Sequence, residues 1–201
     1  MARRLTRAFF NRDPRVLAPD LLNKLLVSTR DGTKLVARIV EVEAYCGFTD
    51  PASHAYRGRT ARNATMFGPA GHLYVYFTYG MHYCANVVAA AAPADAGAVL
   101  LRAAAPIEGL SLMHERRPAA RQDRVLLAGP ARLASAFGLD RDADGTDLAR
   151  GPLGIYDDGT AAPTRPGRSV RFGLAEGKGD RLRLRWFVPG DEHVSGPRST
   201  R

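Results

Sequence analysis

The chain has 201 residues, 45% of them apolar, carries a formal charge of +9 and contains two cysteines. That length suits one sizeable core rather than two, and no apolar run approaches the ~20 residues that span a bilayer, which argues against a membrane protein. Cys46 and Cys84 are too few for a disulfide framework, and the basic start "MARRLTRAFFNRD" lacks the features of a secretory signal, so a reduced, intracellular protein is expected.

Residues 1–6 are expected to fray. "PRVLAPDLLNKL" (residues 14–25) spaces Val16, Leu17, Leu21 and Leu25 as a helix does, with Pro19 starting or kinking it. "LLVSTRDGTKLVARIVEVEAY" predicts two strands about an Asp31-Gly32 turn. The second strand would set Val36, Val40 and Val42 on one face, and Glu41, Glu43 and Tyr45 on the other. Residues 46–72 are rich in Gly, Pro, Arg and Asn and predict a loop. In "LYVYFTYGMHYCANVV", alternation puts Leu73, Val75 and Phe77 opposite Tyr74, Tyr76 and Thr78, until Tyr79-Gly80 interrupts it. Tyr83 to Val88 reads as the return strand, so Tyr79 sits near a hairpin tip, where a large ring is unusual unless something covers it.

A small-residue connection, "AAAAPADAG", leads to a strand at "AVLLRA" and a short amphipathic helix in "PIEGLSLMHERR". "GPARLASAFGLD" has proline just inside a helix start and Gly138 just past its end. Residues 139–166 read as irregular, with turns at "DADG" and "YDDG"; "SVRFGL" and "RLRLRWFV" then predict closing strands, and "SGPRSTR" a frayed tail. The predicted fold is α+β: a single compact domain with a curved, largely antiparallel sheet, flanking helices and a protruding aromatic hairpin.

The positive charge favours a polyanionic partner, most simply nucleic acid. "YRGRTARN" (residues 56–63) gathers three arginines in a loop, whereas Arg181, Arg183 and Arg185 of "RLRLRWF" read as a solvated strand face. No metal centre is expected, because His54, His72 and His82 lack close pairing with Cys or another His. Phosphate-cradling glycine loops and a nucleophile elbow are also missing. What remains is "EVEAY", whose Glu41 and Glu43 suit either catalysis or a solvated strand face. Arg102, inside the apolar "VLLRA", calls for a carboxylate or phosphate partner. These features cohere if the substrate is a nucleotide pulled out of duplex DNA, which costs a few kcal/mol of unstacking and unpairing. Tyr79 could fill the vacated stack, and Tyr45 and Tyr76 could sandwich the extruded base, each stack being worth ~1–3 kcal/mol. A cationic, alkylated base would be drawn further to those ring faces. Arginines of the 57–62 loop would hold flanking phosphates.

From about Phe9 to Ser195 the chain resembles the 3-methyladenine (alkyladenine) DNA glycosylases of the mammalian type, which also occur in bacteria. The resemblance is densest in "RIVEVEAYCGFTDPASHAYRGRTARNATMFGPAGHLYVYFTYGMHYCANVV", and continues through "AVLLRA" and "GPARLASAFGLD". It implies a monomer, cytoplasmic and nucleoid-associated, that removes alkylated or deaminated purines (3-methyladenine, 7-methylguanine, hypoxanthine) from duplex DNA without metal or cofactor. By resemblance Glu43 is the general base that activates the water attacking the sugar C1′, and Arg102 helps orient that water. Tyr45, His54 and Tyr76 enclose the flipped base, and Asn86 excludes guanine by clashing with its exocyclic amine. Tyr79 takes the base's place in the duplex with Met81 beside it, while Arg59, Thr60, Arg62 and Arg132 match positions near the DNA backbone. The backbone carbonyl of Phe172 is a further candidate to hold the water. The chain departs from the family's usual residues at Ala61, where Pro is common, and at Cys46, where Leu is common. The physics agrees with such a reaction: glycosidic cleavage passes through an oxocarbenium-like transition state that a carboxylate stabilises. No lysine stands near these motifs as an amine nucleophile, so hydrolysis is expected rather than a Schiff-base lyase. Glu41 is the rival base, and a non-catalytic damaged-DNA-binding protein is the alternative reading.

Overall fold

The computed structural model describes residues 1–30, 32–90 and 96–196. The Asp31 half of the expected turn, part of the "AAAAPADAG" connection and the last residues of the tail lie outside that range. Within it runs a nine-stranded sheet in which every neighbouring pair of strands is antiparallel. Its strands are β1 (Arg3–Arg4), β2 (Leu25–Ser28), β3 (Leu35–Cys46), β4 (Leu73–Thr78), β5 (His82–Ala90), β6 (Ala96–Glu108), β7 (Leu153–Asp157), β8 (Gly167–Ser169) and β9 (Arg185–Phe187). The order is β1-β7-β2-β3-β6-β5-β4, and β9 pairs with the far half of β3 and carries β8. The two longest strands, β3 and β6, are therefore central neighbours.

Four helices, α1 (Arg7–Phe10), α2 (Pro14–Leu21), α3 (Leu110–Arg116) and α4 (Pro130–Phe137), accompany the sheet. The Asp13 side chain caps α2 by accepting the Arg15 N–H, with Pro14 in the first turn, where its missing donor costs nothing. The helix is shorter than the sequence suggests: Pro19 is tolerated inside it, the chain turns extended at Leu22, and Leu25 opens β2. In α4 the expected asymmetry holds, with Pro130 at the start and Gly138 in the left-handed conformation at φ +64° past the end. Helices α2 and α4 pack on β3, β5 and β6, and the main core lies between them and one face of the sheet.

Three differences from the sequence reading have simple causes. Arg3 and Arg4, expected to fray, pair with Tyr156 and Asp157 of β7. That strand lies in the stretch read as irregular; "LGIYD" is short and flanked by turns, so its periodicity is weak. The expected common face for Val36, Val40 and Val42 is broken at Val40. Ala37 and Ile39 face the main core before it, Val42 and Ala44 face the same core after it, and Val40 joins a separate cluster with Ala103, Phe187 and Val194.

Candidate active site

The pairing of β3 with β6 shifts register three times: once at its start, between Val36 and Ala37, and twice in close succession around Glu41, the break at Val40 being the first of that pair. Ile39 opposes Ala104 and Glu41 opposes Ala103, which leaves Val40 as an extra residue; Val42 then opposes Leu101, which leaves Arg102 as an extra residue on the partner strand. Bulges bend a strand and re-aim its side chains. Here they bring Glu41 and Glu43 of β3 and Arg102 of β6 together on the face away from the main core.

Both glutamates are fully buried at 0% exposure, so neither is a solvated strand carboxylate. Arg102 finds the partners its burial requires: its Nε donates to Glu41 Oε1 at 2.7 Å, and its Nη1 lies 3.2 Å from Glu43 Oε1. Burial opposes the Arg102 charge, but Glu43 and Glu41 outweigh it and push its pKa up. Glu43 is further held by the Tyr45 hydroxyl, which donates to Oε2 at 2.9 Å, and by the Phe172 N–H, which donates to Oε1 at 2.9 Å. Phe172 was singled out for its carbonyl; the contact the structure shows is through its amide. Glu41 instead accepts from Arg102, from Arg185 Nε at 2.7 Å and from the Ser195 N–H at 2.6 Å. The solvated-face expectation thus fails for Arg185, which is fully buried, although Arg181 and Arg183 are exposed. The cause is that β9 pairs with β3 only over Arg185–Phe187.

Above this ion cluster opens a cavity of about 360 Å³, lined among others by Tyr45, His54, Tyr76, Asn86, Arg102 and Phe172. That is the size of a small-molecule site, with aromatic walls that also carry many polar groups, among them four tyrosine hydroxyls, His54, Asn86 and Arg102. Glu43 sits one layer behind the wall, covered by the Tyr45 hydroxyl and Arg102. His54 meets Tyr76 edge-on, with centroids 4.5 Å apart at 77°, and its Nδ1 lies 3.0 Å from the Tyr74 hydroxyl. Tyr74 and Tyr76 stack at 5.5 Å. Burial pushes the Tyr45 and Tyr76 hydroxyls well up and that of Tyr74 up to about 12, so all three stay protonated at neutral pH. Asn86, 4% exposed, donates to the Tyr74 carbonyl at 3.1 Å.

Although His54 keeps an exposed edge, the partial burial of its ring, aided by the Arg62 charge, pushes its pKa below its ordinary 6.5. The unfolded chain then binds a proton here more readily than the native one, so stability rises with pH. We expect the His54 contribution to be fully present above about pH 6.5 and to fade as pH falls below it, toward the folded value. Melting curves at pH 5, 6 and 7.5 should show a steeper acid loss for wild type than for His54→Gln; parallel curves would refute this.

At the cavity mouth, Tyr79, Gly80 and Met81 join β4 to β5; the Met81 N–H donates to the Thr78 carbonyl at 3.3 Å, and Tyr79 and Gly80 between them have φ of +51° and +67°, the left-handed values of a type I′ turn. A bulky residue with positive φ is uncommon, and Tyr79 is also 81% exposed, with Met81 at 70%. Arg59, Thr60 and Arg62 are exposed on the loop beside this turn, and Arg62 donates to the Phe77 carbonyl at 3.0 Å. Arg132 is exposed on α4 and donates to the Ala128 carbonyl at 3.3 Å. The structure therefore gathers Glu43, Arg102, Tyr45, His54, Tyr76 and Asn86 about one cavity with Tyr79 at its rim, and leaves Met81, Arg59, Thr60 and Arg132 on exposed surface.

Two structural clasps escaped the sequence reading. Asn63, 2% exposed, donates to the carbonyls of His54 and Gly58 and accepts the Thr60 N–H, which closes the arginine loop on itself. Arg171 makes a two-pronged, buried pair with Asp50 at 2.5 and 2.8 Å, and its guanidinium carbon lies 4.6 Å from the Tyr45 ring centroid. Alternation in "SVRFGL" placed Arg171 among apolar neighbours, the same signal that marked Arg102. Among the described residues no group of three or more His, Cys, Asp or Glu side chains could hold a metal ion, and no helix is long and apolar enough to cross a membrane.

Comparison with known proteins agrees with this geometry. A family model for methylpurine-DNA glycosylase matches residues 8–192. A Burkholderia cenocepacia protein is 52% identical over 192 residues, covering 94% of this chain and 90% of its own length. One from Streptomyces avermitilis is 48% identical, covering 95% and 90%, and one from Carboxydothermus hydrogenoformans is 43% identical, covering 95% and 98%. All three carry 3-methyladenine DNA glycosylase in their names. The chain belongs to the methylpurine-DNA glycosylase family and is a monofunctional DNA glycosylase, a hydrolase of N-glycosyl bonds in the repair of alkylated DNA.

Proposed function

We propose that this glycosylase acts as a monomer on duplex DNA in the bacterial cytoplasm, in association with the nucleoid. It flips 3-methyladenine, 7-methylguanine or hypoxanthine into the cavity and hydrolyses the N-glycosidic bond with water activated by Glu43. The observation that carries the reading is a buried carboxylate and guanidinium, Glu43 and Arg102, at the back of a cavity walled by Tyr45, His54 and Tyr76. The Tyr45 hydroxyl donates to Glu43 Oε2. Rotation of that hydroxyl toward a bound base frees a lone pair to accept a proton from water. Arg102 orients the water, and the Glu43 charge stabilises the developing oxocarbenium ion. A 3-methylated adenine is cationic while attached, so the electron-rich ring faces of the pocket attract it, and it takes the bond's electron pair and leaves as a neutral base without acid assistance. Asn86 sits in the wall where an exocyclic amine on guanine would meet it.

Single-turnover release of free base from methylated duplex DNA, in EDTA, tests the assignment. Release of 3-methyladenine supports it; intact binding without release of any methylated or deaminated purine would overturn it. Tyr79 is proposed to wedge into the gap left by the flipped base, with Met81 beside it and Arg59, Thr60, Arg62 and Arg132 against the backbone. Tyr79→Ala should weaken lesion binding roughly ten- to hundredfold, the worth of one lost stack. The salt dependence of binding to undamaged duplex should not change, because no phosphate contact is removed. An equal loss on both DNAs would make Tyr79 a structural residue.

A further inference from the structure

Glu41 remains without a role, although it is as deeply buried as Glu43. Its Oε1 accepts from both arginines, Arg102 and Arg185, each at 2.7 Å, and its Oε2 accepts the Ser195 N–H at 2.6 Å. Neither glutamate lines the cavity itself, but the three residues that donate to Glu43 (Tyr45, Arg102 and Phe172) all do, whereas Arg185 and Ser195, two of the three that donate to Glu41, do not. Glu41 therefore lies a layer deeper, behind groups that would not move aside for a reacting water.

Arg185 is locked from all sides. It donates to Glu41, to the Ser169 hydroxyl at 2.9 Å and to the Ser195 carbonyl at 2.9 Å, and its guanidinium carbon lies 4.5 Å from the ring centroids of both Phe172 and Phe187. Arg102 also stacks on Phe172, at 5.0 Å, and its Nη2 donates to the Ser195 hydroxyl at 3.3 Å. The Phe172 amide, in turn, donates to Glu43. Two carboxylates and two guanidiniums thus form a buried quartet, and Ser195 touches three of its members.

We infer that Glu41, Arg185 and Ser195 are positioning residues for base removal. Glu41 fixes the guanidinium plane of Arg102 by gripping Nε, so that Nη1 faces Glu43, and Arg185 fixes Glu41 while bracing Phe172 against Glu43. A planar, forked donor suits this task, since lysine offers only a point charge. The inference rests on the proposed roles of Glu43 and Arg102, and it settles the rivalry between the two glutamates: Glu43 faces the chemistry and Glu41 holds the residue beside it.

A double-mutant cycle on Glu41→Gln and Arg102→Lys tests this by single-turnover base release at saturating enzyme, which isolates chemistry from binding. Each single change should slow release roughly 100-fold, the effect of a misplacement on the order of 1 Å. The double variant should be no slower than the worse single, because Glu41 acts only through Arg102. Lesion-DNA affinity should hold in all three. Multiplying effects, or a wild-type rate for Glu41→Gln, would overturn the inference. If Glu41→Gln does not fold, Arg185→Lys takes its place in the cycle; because Arg185 also braces Phe172, the double variant should then be slower than the worse single but clearly less slow than the product of the two, and full multiplication would overturn the inference. A second readout needs no turnover: in 15N-labelled protein the Arg102 Nε–H should be protected from solvent exchange and lose that protection in Glu41→Gln or Arg185→Lys. Undiminished protection would overturn the positioning role even in an inactive protein, whereas a wild type that releases no base would overturn the proposed function alone.

Discussion

Replacing Glu43 with Gln should slow single-turnover base release by about 10³-fold or more, within the range removed with a general base, while lesion-DNA affinity stays close to wild type. The substitution keeps the shape and one carbonyl oxygen, so the Phe172 amide retains an acceptor. It removes the basic oxygen that the Tyr45 hydroxyl covers and the negative charge beside Arg102. Since Tyr45, His54 and Tyr76 are untouched, the base still has its pocket. Residual turnover near wild type, measured side by side in EDTA, would remove Glu43 from the role of base.

The largest expected loss of stability lies elsewhere, at Asp50. Its two oxygens take both Arg171 prongs and the N–H groups of Cys46 and Ala52. Asp50→Ala strands a guanidinium with 3% exposure, and breaking a buried pair from one side costs about 3–5 kcal/mol. For a domain of this size that is a fall in Tm of roughly 6–20 °C. Activity should fall with it even below the new Tm, because Arg171 then no longer holds its place against the Tyr45 ring. A calorimetric Tm within about 2 °C of wild type, the shift of under 1 kcal/mol, would show that the pair is dispensable.

The sequence made the main outline legible because local and global signals agreed there. Strands β3 and β4 have readable alternation, β2, β5 and β6 stand out as apolar runs between turn signals, α4 has both end signals, and Arg102 is conspicuous as a charge in such a run. The pocket residues were legible through family resemblance; spacing alone left Glu41 and Glu43 open between catalysis and a solvated face. Arg185 was read on the wrong side of that same ambiguity: alternation showed which residues share a face but not whether the face is covered. Its cover comes from Phe172, Phe187 and Ser195, contacts that connect distant parts of the strand order. The bulges were invisible for a related reason. A period of two has no symbol for an extra residue, so the reading of Val36, Val40 and Val42 ran through the defect as if the strand were regular.

Those two defects have a genetic corollary. The register between β3 and β6 is the same over Ala37–Ile39 as over Val42–Cys46, so these two insertions cancel and the pairing on either side of them keeps its phase. Substitutions at either position therefore leave the phase of the ladder alone, but loss of the Val40 codon would turn either the strand before it or Glu41, Glu43 and Tyr45 onto the opposite face. Removing Arg102 as well would restore regular pairing from Ala37 to Cys46 and erase the guanidinium beside Glu43. Within this sheet, the site and the irregularity are inherited as one frame.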